Sequence, residues 1–332
     1  MSIPKLPTAI VIENRSFVYP DDLFNEDEFN RLVSFSKSLP STSSFEGSTI
    51  EGIDLKEPLP QTFGKYQLTR LLGDGRIGKT YLARHADSSN EFAVTKICSE
   101  HVERLGAEWI TSRLDQLHRD SLAASAVFAE NVTAVFEVGG IDGTYFYSTR
   151  HIYGKSLAKT VNSKAASNRD AALVVKAIAE SVHQLHKVGV FHRDLRPANI
   201  MLDRDSKPYI LPGSAVLKAD EDRDSFRAAE VANRSAINAV AEIWSLGAIL
   251  YNCLVGEPPS IASVVPPRKK NPKVARDLET ICLKCLRKNP GQRYSNAAAL
   301  ADDLDRFLDH QPIDAAPYGL VGKLINKLTK MG

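Results

Sequence analysis

Apolar and polar residues alternate with two different periods along this chain, and the change falls near its middle. From Tyr66, the runs YQLTRLLG, KTYLARHA and NEFAVTKIC have the short texture of strands, each bounded by Gly, Asn, Asp or Ser. HVERLGAEWITSRLDQLH then takes helical spacing, and VTAVFEVGG and TYFYSTRHI return to strand texture around a Gly-Gly/Asp-Gly turn. After Gly154 the pattern is mainly helical, beginning with RDAALVVKAIAESVHQLHKVG. Strands first and helices later predict an α+β chain with a small sheet-rich lobe and a larger helical lobe. The pattern divides the chain into an N-terminal extension (1–62), the sheet-rich lobe (63–153), the helical lobe (154–312) and a tail (313–332). No internal repeat of solenoid period is visible.

The two ends differ from this body. DDLFNEDEFNRLVSFSKSLP carries Leu23, Phe24, Phe29, Leu32, Val33 and Phe35 as one short amphipathic helix, and the Ser/Gly-rich STSSFEGSTIEG after it reads as a flexible tether. In the tail, Leu320, Val321, Leu324, Ile325 and Leu328 share a face opposite lysines. That face suits packing on the protein's own lobe, with weak membrane contact as the alternative.

Composition narrows the classes. With 332 residues and a formal charge of +2, the chain gives no electrostatic reason to expect nucleic acid as a partner. The most apolar stretch, AVAEIWSLGAILYNCLVG, holds Glu242 and Asn252 and predicts a buried helix in place of a transmembrane span. The start lacks a basic region followed by an apolar core, so no secretory signal is expected and the predicted location is cytoplasmic. Cys282 and Cys285 form a C-x-x-C, but with Leu278, Ile281 and Leu286 they follow helical spacing, which predicts two small core residues, not a zinc or redox site.

Residues 191–200, FHRDLRPANI, carry the most chemistry. They resemble the catalytic loop of protein kinases, and the resemblance extends over about residues 64–310. It implies the bilobal kinase fold, ATP with magnesium as cofactors, and a protein as substrate or partner. In that family Asp194 would be the base for the attacking hydroxyl, Asn199 a metal ligand, and Arg196 a positive charge toward the transferred phosphoryl in place of the usual Lys. Arg193 would pair with a phosphorylated activation loop, in which Ser225 is the candidate modification site. Gly73, Gly75 and Gly78 keep G-x-G-x-x-G spacing in a strand–turn–strand setting, where backbone amides can approach phosphate oxygens, and Thr80 stands where the family has Val. In TYFYSTRHIYGKSL, the similarity to the hinge places Thr149 behind the adenine and Arg150, His151 and Ile152 on the connector.

Two departures cut against catalysis. The family motif has Ala two residues before its phosphate-bridging Lys, whereas Ala93 is three before Lys96. Strand alternation then turns Lys96 away if Ala93 faces inward. A bulge would restore Lys96 and put Val94 against the adenine, and the expectation favours Lys96 reaching the phosphates, paired with Glu108 or, alternatively, Glu103. The D-F-G element is missing: in KPYILPGSAV its metal-binding Asp falls on Pro212, or on Leu211 if Gly213 is matched. Glu230 and Arg293 are both present where the family has the two partners of a buried ion pair, and Glu242 stands at a helix start where the resemblance implies Asp. The chain therefore resembles bacterial serine/threonine kinases of eukaryotic type, planctomycete-like in its lobe ending. The expected function is that of a pseudokinase or weak nucleotide binder acting in signalling; the alternative is an active Ser/Thr kinase with atypical metal binding.

Overall fold

The computed structural model describes residues 59–316, apart from 76, 87–89, 126, 128–130, 162–164, 214–224 and 233–237, together with the backbone of 9–12 and 15–18. The predicted helix of the extension, its tether and the apolar tail lie outside the described residues. Two strands that the pattern did not suggest, β1 (Ala9–Ile12) and β2 (Arg15–Val18), pair antiparallel within the extension.

The first lobe is one antiparallel sheet built from β3 (Gln61–Phe63), β4 (Tyr66–Gly75), β5 (Gly78–His85), β6 (Glu91–Ile97), β7 (Val135–Ile141) and β8 (Thr144–Arg150). Its spatial order is β3-β4-β5-β6-β8-β7. The helical segment between β6 and β7 is broken in two, α1 (Ser99–Leu105) and α2 (Ala107–Ser125). Gly106 makes the break: its φ of +85° suits glycine, and its N–H caps the Val102 carbonyl. Ile97, Val135, Val138 and Tyr145 on one sheet face pack with Ile110, Leu114 and Leu117 of α2. The opposite face buries Tyr66, Leu68, Tyr81, Val94 and Phe146 with Phe63. Alternation along each strand divides the two sets, so every side chain of β6 has a defined side.

The second lobe contains β9 (Gly154–Ser156), α3 (Leu157–Val161), α4 (Asn168–Lys187), a one-turn 3-10 helix at Pro197–Asn199, β10 (Ile200–Asp203) and β11 (Pro208–Ile210). It continues with α5 (Ala229–Ala232), α6 (Ala239–Val255), α7 (Pro267–Lys270), α8 (Arg276–Cys285) and α9 (Ala297–Leu308). Strands β9, β10 and β11 form a small antiparallel sheet beneath the connector. Helix α6 is the apolar run with Glu242, and it is the buried centre of the lobe, with Trp244, Ile249, Leu250 and Tyr251 almost inaccessible. Asn238 caps its start by accepting from the Ala241 N–H, and Gly256 ends it at a φ of +90°. Cys282 and Cys285 are fully buried in α8, as their spacing predicted, and burial pushes both thiols well up from the ordinary range. No helix among the described residues is long and apolar enough to cross a membrane.

Helices α6 and α8 meet at Gly247, where a Cβ would lie 2.3 Å from Cβ of Cys285. Gly247→Ala should therefore force these helices apart and cost about 1–3 kcal/mol, an overpacking penalty measurable by urea denaturation.

Candidate active site between the lobes

The cleft's upper wall is the face of the first-lobe sheet that continues from helix α2. The register of β6 against β5 runs unbroken from Gly78↔Ile97 to Arg84↔Glu91, and against β8 from Lys96↔Phe146 to Phe92↔Arg150. The bulge that would turn Lys96 inward does not occur. Ala93, Thr95 and Ile97 share the α2 side, and Lys96 lies on the other, with Nζ 5.0 Å from the Phe63 ring centroid and 5.9 Å from that of Tyr81. The expectation that Lys96 reaches the phosphates is overturned, because strand alternation has no local irregularity to interrupt it. Thr95, two residues after Ala93, stands in the lysine's place.

The expected partner of that lysine is displaced too. Glu108 is exposed in the first turn of α2, where it meets the positive end of the helix dipole, and Glu103 is exposed on α1. Hydroxyls occupy the inner wall in place of a lysine–glutamate pair. Thr80 Oγ1 and Thr95 Oγ1 are 2.9 Å apart, and Thr95 also bonds the Tyr147 hydroxyl. Burial pushes the Tyr147 phenol up, the bond from Thr95 offsets part of the rise, and the nearby Asp194 charge adds to it. Tyr147 is paired with Thr95 across β6 and β8 and shares its face of the sheet.

The glycines ahead of this wall do different jobs. Gly75 pairs with Gly78 across the tip of the β4–β5 hairpin, and Gly73 has open space where a Cβ would go. Gly78 is a packing requirement: at a φ of +151°, its Cβ would meet the Lys96 carbonyl oxygen at 1.8 Å. At the rear of the cleft Thr149 is buried opposite Ala93, and the connector follows it. Burial lowers the His151 imidazole to about 4, with Glu91 opposing the shift and Arg70 adding to it. Arg150 lies with its guanidinium carbon 6.0 Å from the Tyr209 ring centroid.

The lower wall is the catalytic loop. Asn199 Nδ2 donates to both the backbone oxygen and Oδ2 of Asp194, each at 2.8 Å, so the two residues singled out in the sequence do meet. Arg196 lies between them in the chain, in extended conformation, and its carbonyl accepts from the Asn199 N–H at 3.0 Å. His192 donates from Nε2 to the Leu211 carbonyl at 2.6 Å, while its Nδ1 accepts from the Asp194 N–H at 3.3 Å; the two bonds select one tautomer. Arg193 sits at a φ of +68°, strained for a side chain of its size, and is held there by its N–H donating to Glu242 Oε1 at 2.6 Å. The other Glu242 oxygen accepts from His186 Nε2 at 2.7 Å.

Packing bears on the choice between Pro212 and Leu211 and favours Leu211. A Cβ at Gly213 would lie 2.1 Å from the His192 carbonyl oxygen, so this is a position where glycine is obligatory. Matching it to the glycine of D-F-G puts Leu211 at the metal-binding Asp. Donors available to a cation on the catalytic loop are one carboxylate, Asp194, and one amide oxygen, that of Asn199, facing an apolar Leu211. Among the described residues no group of three His, Cys, Asp or Glu side chains comes together to hold a metal ion. The donors among the described residues do not fit a divalent cation bridging phosphates, which favours several hard oxygen ligands. The Glu230–Arg293 pair is intact and bidentate, with Nη2 to Oε2 at 3.0 Å, and the guanidinium also packs 5.3 Å from the Trp244 ring centroid.

Two lobes joined by a connector, with an Asp–Asn catalytic loop between them, define a protein of kinase architecture. The chain belongs to the protein kinase domain family, whose model matches residues 66–304. It is 27% identical over 285 residues to the serine/threonine-protein kinase PknB of Mycobacterium leprae, covering 77% of this chain and 45% of that protein. To PknH of Mycobacterium bovis it is 26% identical over 265 residues, covering 72% and 43%. The chain thus spans less than half the length of these curated relatives. Its fold is similar to the crystal structure of the Mycobacterium tuberculosis PknI kinase domain, with a TM-score of 0.63 at 19% identity, covering 76% of this chain and 99% of that one.

The His151 shift has a direction that can be measured. The unfolded chain takes up this proton near pH 6.5 and the folded ring resists until about 4, so stability falls as pH drops through that window. Between those values the Tm of the wild type should fall more steeply than that of His151→Gln in scanning calorimetry.

Proposed function

We propose that this chain is a pseudokinase: a kinase-shaped signalling module that works by holding a protein partner in the cytoplasm and grips nucleotide weakly if at all. The observation that carries this reading is the β6 face toward the cleft, where Ala93, Thr95 and Ile97 present no charge while Lys96 lies over Phe63 and Tyr81 on the far side. Leu211 at the metal-binding position supports it independently, because the cation is a large electrostatic contribution in phosphoryl transfer. The intact Asp194–Asn199 pair favours a second reading, an active Ser/Thr kinase that uses ATP and a metal held in an atypical way.

Phosphoryl transfer decides between them. With labelled ATP and either magnesium or manganese, the wild type should incorporate no more phosphate than Asp194→Ala; incorporation that disappears in the variant would establish the active kinase. Any rise in Tm given by ATP should be unchanged by adding magnesium, and Lys96→Met should leave that rise unaltered, since the ammonium is on the wrong side of the sheet to meet a phosphate.

A further inference from the structure

We propose that Asp120 is a positioning residue for the catalytic loop: a built-in carboxylate that does the work of an activation-loop phosphate and clamps α2 to Arg193 without any modification. Arg193 Nη1 lies 2.7 Å from Asp120 Oδ2, with the two side chains only 28% and 18% exposed. The second oxygen of Asp120 is also engaged, accepting from Gln116 Nε2 at 2.6 Å, and Arg119 Nη2 donates to the Gln116 side-chain oxygen Oε1 at 3.1 Å. Arg193 is therefore tied at both ends, its backbone N–H to Glu242 of α6 and its guanidinium to α2. One residue in a strained conformation joins a helix of the first lobe to the central helix of the second.

The surroundings strengthen the pair. It borders a cavity of about 50 Å³ whose other walls include Leu117, Val135, Leu185, Leu211 and Pro212. Beside such apolar walls a charge pair interacts more strongly than one in open water. A phosphate would bring a charge of about −1.5 to −2 and arrive only on modification, whereas a carboxylate brings a permanent single charge. The α2–catalytic loop contact is accordingly always made, and the state of Ser225 does not gate it. This inference goes beyond the pseudokinase reading and holds whether or not phosphate is transferred.

The test is a double-mutant cycle on the full chain. Asp120→Asn and Arg193→Gln should each lower the Tm by about 2–6 °C, and the double variant should fall no further than the worse single one. Asp120→Glu should recover part of the loss. Hydrogen exchange should show residues 192–199 losing protection at least fivefold in Asp120→Asn, while 278–285 in α8 keep theirs. Ser225→Asp in the wild type should change neither quantity. An additive double variant, a silent Asp120→Asn, or a wild type stabilised by Ser225→Asp would overturn the proposal. Should Arg193→Gln fail to fold, the contrast between Asp120→Asn and Asp120→Glu decides alone. Phosphoryl transfer is not among the readouts, so this proposal and the reading of catalysis fail separately.

Discussion

A Cβ on Gly78 would lie 1.8 Å from the Lys96 carbonyl oxygen, so β5 and β6 close on each other at the mouth of the cleft only because that position is glycine. Around this close contact the two strands pair in unbroken register, and β6 pairs equally regularly with β8. Once the pairing is set, the pleat assigns each side chain of β6 to a face, and a slip of one residue would reverse them all. The apolar packing agrees with the assignment. Val94 is buried with Tyr81 and Phe146 on one side, and Ile97 with the α2 residues Ile110 and Leu114 on the other. Moving Lys96 into the cleft would bring both sets out of their cores. Burial energy, at roughly 25 cal/mol per Å² of apolar surface, thus holds the lysine outside.

The lower wall depends on a comparable junction. Glu242, from the buried helix α6, accepts from the Arg193 N–H and from His186, which keeps the strained residue beside Asp194 in place. A glutamate can do this where an aspartate is usual because the task is hydrogen-bond acceptance by a buried carboxylate, and the longer side chain meets both donors. The catalytic loop is therefore well formed although the metal-binding element beside it is apolar. The loop's bonds also tie it to the second lobe, through Glu242 of α6, whereas the face of β6 toward the cleft is set by strand pairing.

Much of this was legible in the chain. The strand texture, the α6 run, the Asp194–Asn199 spacing and the Glu230–Arg293 pair all rest on local patterns or on fixed separations, and the structure places them as read. The side of the sheet taken by Lys96 was not, since whether a bulge intervenes depends on pairing with β5 and β8, which the six letters FAVTKI do not encode. The break at Gly106 was visible as a glycine but not as a cap, because Leu105 and Trp109 keep helical spacing across it. Leu211 could be chosen over Pro212 only when the His192 carbonyl was seen against Gly213. The Asp120–Arg193 pair joins residues 73 apart in sequence, with no motif to mark it.

The side of the sheet on which Lys96 lies can be measured chemically. An acyl-phosphate derivative of ATP transfers its acyl group to amines next to bound phosphates, and peptide mapping reads which lysines it has modified. With Lys96 over Phe63 and Tyr81, its modification should be no faster than that of the exposed Lys269 and should be insensitive to competing ATP. Rapid acylation of Lys96 that excess ATP suppresses would place the ammonium inside the cleft and contradict the account.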